Sequence, residues 1–146
     1  MERQSHTEII EAPIEVCFET ITDFEKYPDW FTGIEQAVVE RADPDRCLWT
    51  VRYRLHMVVK TISYTLSYEG KRPEWLAWSL ERGDVKAIEG SYAFKRLEPT
   101  RTEATCTQAV DVGFWIPGPL RRTFERTALA DSVRQFKEAA EARAKE

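Results

Sequence analysis

Between residues 34 and 112 the hydrophobic pattern alternates with a period of two, and only short turn signals interrupt it. A period of two sends successive side chains to opposite faces of a strand. The pattern predicts six strands, at 34–41, 46–58, 60–70, 75–82, 86–97 and 101–112. The breaks carry turn chemistry: Asp43-Pro44-Asp45, Gly70 to Pro73, Gly83-Asp84 and Pro99-Thr100. Connections this short join antiparallel neighbours, because a parallel pair needs a crossover of about a dozen residues or more.

The flanks follow a different period. Residues 5–11 alternate weakly and predict one more strand, and Ala12-Pro13 then opens a helix with Ile14, Phe18 and Ile21 on one side. Asp23 to Phe31 predicts a second short helix interrupted at Pro28, and Gly33 releases the chain. From Leu120 to Glu146 there is no Gly or Pro, and Leu120, Phe124, Leu129, Val133, Phe136 and Ala140 form an apolar stripe. This predicts a long amphipathic helix over 119–143 whose last turns, Glu141 to Glu146, fray. A sheet with one apolar face must cover it. The expected architecture is therefore α+β: one domain over 1–146, with a curved seven-stranded antiparallel sheet wrapped around the C-terminal helix. Two short helices lie between strands one and two. One helix does not fill so broad a concave surface, so a cavity between them is the geometric consequence.

Composition narrows the partners. With 146 residues the chain is long enough for a proper core, and 42% hydrophobic with 32% charged residues is a globular balance. The net charge of −4 is spread along the chain, and no Lys/Arg block tracks a phosphate backbone, which argues against nucleic acid. No apolar run approaches a signal peptide or a membrane span, so a cytoplasmic protein is expected. Three widely spaced cysteines, Cys17, Cys47 and Cys106, do not form a disulfide framework. Five Trp, five Tyr and seven Phe fit either a tight core or a cavity lined with flat rings.

The run from Ile10 to Phe31 (IEAPIEVCFETITDFEKYPDWF) has Ala12-Pro13, Phe18, Asp23-Phe24, Tyr27-Pro28 and Trp30 in an order and spacing that resemble the SRPBCC superfamily. The closest likeness is to its polyketide cyclase/dehydrase branch, with coenzyme Q-binding proteins as relatives. Trp78-Ser79-Leu80 with Glu89-Gly90-Ser91-Tyr92 resembles that family's central hairpin, and Phe114 to Leu120 resembles its apolar loop before the final helix. The resemblance spans essentially the whole chain. It implies a START-like, helix-grip fold and an apolar small-molecule ligand such as a lipid, quinone or polyketide.

Strand phase gives the candidate lining. The apolar phase contains Trp49 and Tyr53, then Tyr64 and Tyr68, then Trp78 and, at the strand end, Arg82, then Tyr92, and finally Gln108 among small residues. These eight are the candidate ligand-cavity residues. A buried phenol needs a hydrogen-bond partner, which an oxygen-bearing ligand supplies; backbone or water is the competing partner. Arg82 is the one cation in phase with them, suited to a ligand carboxylate or a developing enolate, against the competing role of a rim arginine reaching into water. Trp30, Phe31, Phe114 and Trp115 lie at connections, either as a lid or as plugs for the end of the core.

Catalytic signatures are missing. His6 falls near a mobile N-terminus and His56 on the outer phase, so neither a nucleophile–histidine pair nor a zinc site is expected, and no cofactor is implied. Three functional readings stay open: a non-catalytic binder or carrier of a hydrophobic molecule, a cyclase, aromatase or dehydratase acting on a poly-ketone, and a partner-binding module.

Overall fold

The computed structural model describes residues 2–56, 60–113, 115 and 118–146, with backbone alone over 118–126. The chain runs β1 (Gln4–Ile10), α1 (Ile14–Thr22), a 3-10 turn (Phe24–Lys26), α2 (Tyr27–Trp30), β2 (Ile34–Asp43), β3 (Leu48–His56), β4 (Thr61–Lys71), β5 (Trp75–Gly83), β6 (Ala87–Glu98), β7 (Arg101–Asp111) and α3 (Gly118–Ala144). The strands form one seven-stranded sheet in the order β1-β7-β6-β5-β4-β3-β2, with every neighbouring pair antiparallel. The seven-stranded antiparallel sheet, the short helices after the first strand and the long C-terminal helix are thus as expected.

Local chemistry sets the ends of the elements. Pro13 caps α1, which buries Ile14, Cys17, Phe18 and Ile21 on one side. Thr102, fully buried on β7, donates its hydroxyl to the Ala12 carbonyl at 2.8 Å and so ties the entry of α1 to the sheet. Pro28 does not interrupt the second helix. It occupies the first turn of α2, where a missing N–H is harmless.

The last turns of α3 do not fray. Glu141 accepts the Glu11 amide at 2.8 Å and the Lys137 ammonium at 2.5 Å, and the Arg143 guanidinium meets Asp23 at 3.0 Å. Lys137 also donates to the Ile9 carbonyl at 2.6 Å, satisfying the outer edge of β1. Leu129, Val133, Phe136 and Ala140 of the predicted stripe are buried against the sheet and α1, whereas the side chains of Leu120 and Phe124 lie outside the described residues. Burying each large apolar side chain of this kind contributes about 1.5–3 kcal/mol.

Four register shifts bend the sheet, two in the β2–β3 pair and one each in the β4–β5 and β6–β7 pairs. The shift between β4 and β5 has a direct consequence for the site. Leu66 pairs with Leu80 but Thr65 pairs with Arg82, so Glu81 is an extra residue in β5.

Candidate functional site

The concave face of the sheet divides into two regions. The first is closed. Phe24 from the 3-10 turn, Tyr27 from α2, and Trp49, Tyr53 and Tyr68 from β3 and β4 are all buried, with ring centroids 4.5–5.8 Å apart in the Phe24–Tyr68, Phe24–Trp49 and Tyr27–Tyr53 pairs. Phe136 of α3 completes it, fully buried against Tyr92, Phe94 and Trp30. Three of the phenols here have hydroxyl partners. The Tyr27 hydroxyl donates to the Ile21 carbonyl at 2.6 Å, and the Tyr53 and Tyr68 hydroxyls bond each other at 2.7 Å; Tyr92 pairs with Cys106 directly across the β6–β7 ladder.

The second region lies toward the ends of β4, β5, β6 and β7 that are reached through Tyr64, Leu80, Gly90 and Val110. There Tyr64, Trp78, Leu80, Gly90, Gln108, Val110 and Val112 are only partly buried. Tyr64, Trp78 and Gln108 make no side-chain hydrogen bond to another described residue, although each belongs to the inward phase of its strand. Two glycines permit this arrangement. Gly83 has φ +150°, and a Cβ there would come within 2.5 Å of the Tyr64 backbone. A Cβ on Gly90 would come within 2.6 Å of the Trp78 indole.

Burial raises the pKa of every phenol in the chain: Tyr27, Tyr53, Tyr64, Tyr68 and Tyr92 are all pushed above the ordinary tyrosine value, chiefly by desolvation. The phenols are therefore protonated at neutral pH, and serve as donors rather than bases. Burial also pushes the Cys17 thiol up to about 11 and the Cys106 thiol up to about 12, which keeps both far from the thiolate a nucleophile requires.

Among the predicted lining residues, Trp49, Tyr53, Tyr68 and Tyr92 face the closed region, and Tyr64, Trp78 and Gln108 the partly open one. Arg82 joins neither. The extra residue at Glu81 moves Arg82 out of the phase of Trp78 and Leu80 and places it beside Thr65 on the convex face. Its side chain is 58% exposed and bonded to Glu40 at 2.8 Å, within a surface network in which Glu81 bonds Arg41. Phe31 stacks on Tyr27 and Trp30 packs against it at a tilt, so both form part of the aromatic packing, whereas Trp115 is 85% exposed and Phe114 lies outside the described residues.

His6 is not in a mobile terminus. It sits in β1 across from Cys106 and bonds Glu8 at 2.7 Å, beside a crevice of about 430 Å³ between β1 and α3. His56, as its phase implies, is exposed and bonds Thr61. Among the described residues no group of His, Cys, Asp or Glu side chains is arranged to hold a metal ion, and no helix is long and apolar enough to cross a membrane.

Sequence phase did not single out Gly83 or Gly90 as parts of the site. The available signal was a glycine inside a strand, which marks close approach of a neighbour.

Comparison with known proteins places this geometry in context. A family model described as polyketide cyclase/dehydrase and lipid transport matches residues 10–137. The fold is similar to that of TTHA0849 from Thermus thermophilus, with a TM-score of 0.80, 18% identity, and 98% of this chain and 97% of that one covered. It is similar to a START superfamily protein from Mycobacterium smegmatis, with a TM-score of 0.80, 19% identity and coverage of 98% and 97%. It is also similar to the Zhui aromatase/cyclase from Streptomyces sp. R1128, with a TM-score of 0.79, 17% identity and coverage of 99% and 93%. At these identities the likeness concerns the fold. No curated protein sequence matches the chain.

Proposed function

Because the chain belongs to the polyketide cyclase/dehydrase and lipid transport family, we propose that its concave face binds an apolar small molecule carrying one or two acceptor oxygens, of the lipid, quinone or polyketide kind. The observation that carries this reading is the uneven treatment of polar tips on one surface. In the closed region Tyr27, Tyr53 and Tyr68 have partners in the protein; in the partly open region Tyr64, Trp78 and Gln108 are aimed inward without one among the described residues. Among the described residues no buried side-chain polar atom lacks a partner, so these tips are open to solvent, and a ligand oxygen takes the place of water there. Apolar contact supplies most of the affinity and the donors select among ligands.

Binding or transport is favoured over chemistry by what surrounds the site. A cyclase acting on a poly-ketone would draw on an inward cation and on phenols able to exchange protons, whereas Arg82 is outward and burial holds the phenols protonated. Native mass spectrometry of the freshly purified protein tests the reading first, by the mass of any co-purifying molecule. Titration with quinones, fatty acids and aromatic polyketides tests it second, through tryptophan quenching assigned by Trp49→Phe and Trp78→Phe. Tyr64→Phe should weaken oxygenated ligands and leave hydrocarbons unaffected. If no such ligand binds below about millimolar, the binding reading fails and a partner-binding module replaces it.

A further inference from the structure

Trp78 and Gly90 pair directly across β5 and β6, and the indole lies against the β6 backbone. A Cβ built on Gly90 would stand 2.6 Å from Cε2 and Cζ2 of Trp78 and 2.7 Å from its Nε1. Carbon atoms in ordinary contact are about 3.5–4.0 Å apart, so any side chain at 90 displaces the indole by roughly 1 Å. Gly90 is not in the left-handed region that favours glycine; among the described glycines, Gly33, Gly83 and Gly113 have positive φ. Its backbone would accept any residue, and the indole alone accounts for the glycine.

The ring is bracketed by Tyr68 and Tyr92, at 5.9 and 6.0 Å between centroids, which limits sideways rocking. On the other side of Gly90, across β7, stands Gln108. Three adjacent strands therefore present, in one row, a flat ring, a position with no side chain, and an amide. Trp78 is partly buried, so some of its surface remains accessible.

Resting on the binding reading above, we infer that Trp78 laid on Gly90 is a stacking floor, and that Gly90 is the residue that makes the site discriminate flat conjugated rings from flexible chains. A planar ligand stacks on the indole over its whole face, with its oxygen at the Gln108 amide. An alkyl chain adapts to a displaced ring and loses little when the floor moves.

The test uses 1,4-naphthoquinone and palmitic acid as probes, by calorimetry, on the full chain. Gly90→Ala should weaken naphthoquinone about tenfold, the upper end of an aromatic pairing contribution, while palmitic acid changes less than about threefold. The near-ultraviolet dichroism of Trp78, assigned by Trp78→Phe, should change in the free protein. In a Trp78→Phe background the same Gly90→Ala substitution should alter naphthoquinone binding by less than about twofold, because the ring it displaces is smaller. Equal losses for both probes, or an unchanged Trp78 signal, overturn the inference while leaving the binding reading intact. Absence of binding by either probe to the unaltered protein overturns both. Should Gly90→Ala not fold, Trp78→Leu keeps apolar volume without the flat floor, and the same selective loss is expected.

Discussion

Tyr53 and Tyr64 stand directly opposite each other on β3 and β4, with ring centroids 5.6 Å apart, yet they live in different surroundings. Tyr53 is 2% exposed and its hydroxyl bonds Tyr68, whereas Tyr64 is partly buried and its hydroxyl bonds no other described residue. Around Tyr53 the 3-10 turn and α2 press Phe24 and Tyr27 onto the sheet. Around Tyr64 the described neighbours are the Tyr53 ring and the strand end at Gly83, which adds no side-chain bulk. One cross-strand pair thus marks the line between surface used for folding and surface left for a ligand. Residue type does not draw that line, because both residues are tyrosines; among the described residues, the 3-10 turn and α2 that pack on the Tyr53 side draw it.

The closed region should respond most to alkali. All five tyrosines have a pKa raised by burial, so the folded state holds phenolic protons that the unfolded chain releases near pH 10. Stability is then fully present below about pH 10 and falls as the pH rises above it, by about 1.4 kcal/mol per pH unit for each such group. Tyrosinate absorbance near 295 nm should rise together with loss of far-ultraviolet dichroism and not before it. A phenol titrating at the ordinary value in the native fold would break the comparison if it is Tyr53 and sharpen it if it is Tyr64.

Packing provides the next contrast. Phe136→Ala removes a fully buried ring and should cost about 3–5 kcal/mol in chemical denaturation. Leu80→Ala, in the partly open region, should cost about 2 kcal/mol or less, because the leucine leaves part of its surface uncovered. Equal costs would mean that the two regions are packed alike.

A smaller effect separates the two phenols themselves. Tyr53→Phe strands the Tyr68 hydroxyl and should cost about 1–2 kcal/mol. Tyr64→Phe removes no internal bond to a described residue and should change stability by about 0.5 kcal/mol or less, while weakening oxygenated ligands. If Tyr64→Phe proves the more destabilising, its hydroxyl has a structural partner and the site loses its main donor.

The sheet, its strand order and the helix across it were legible because a period of two over 34–112 and a period of 3.6 beyond it leave few alternatives. Seven of the eight candidate lining residues keep the inward phase for the same reason. The division between closed and partly open surface was not legible, since it depends on where α1, α2 and α3 rest on the sheet. Arg82 was misread because strand phase assumes an unbroken alternation, and a single extra residue at Glu81 reverses it. His6 was misread because nothing local to residues 4–10 shows that α3 and β7 hold that strand in place.

Arg82 yields the smallest predicted effect and a direct check on where the ligand surface ends. Its guanidinium is more than half exposed, pairs with Glu40 and shares the Glu81 carboxylate with Arg41 on the convex face. Exposed pairs of this kind contribute about 0–1 kcal/mol and are screened by salt. Arg82→Gln should therefore shift stability by no more than about 0.5 kcal/mol, an effect that added salt diminishes. It should also leave the affinity for both neutral quinones and fatty acids within about twofold, because the side chain points away from Tyr64, Trp78 and Gln108. A selective loss of carboxylate ligands in Arg82→Gln would mean that the ligand reaches around the strand end to the convex side. The boundary would then lie at the β5 bulge rather than between Tyr53 and Tyr64, and the cyclase reading, which draws on an inward cation, would gain the residue it lacks.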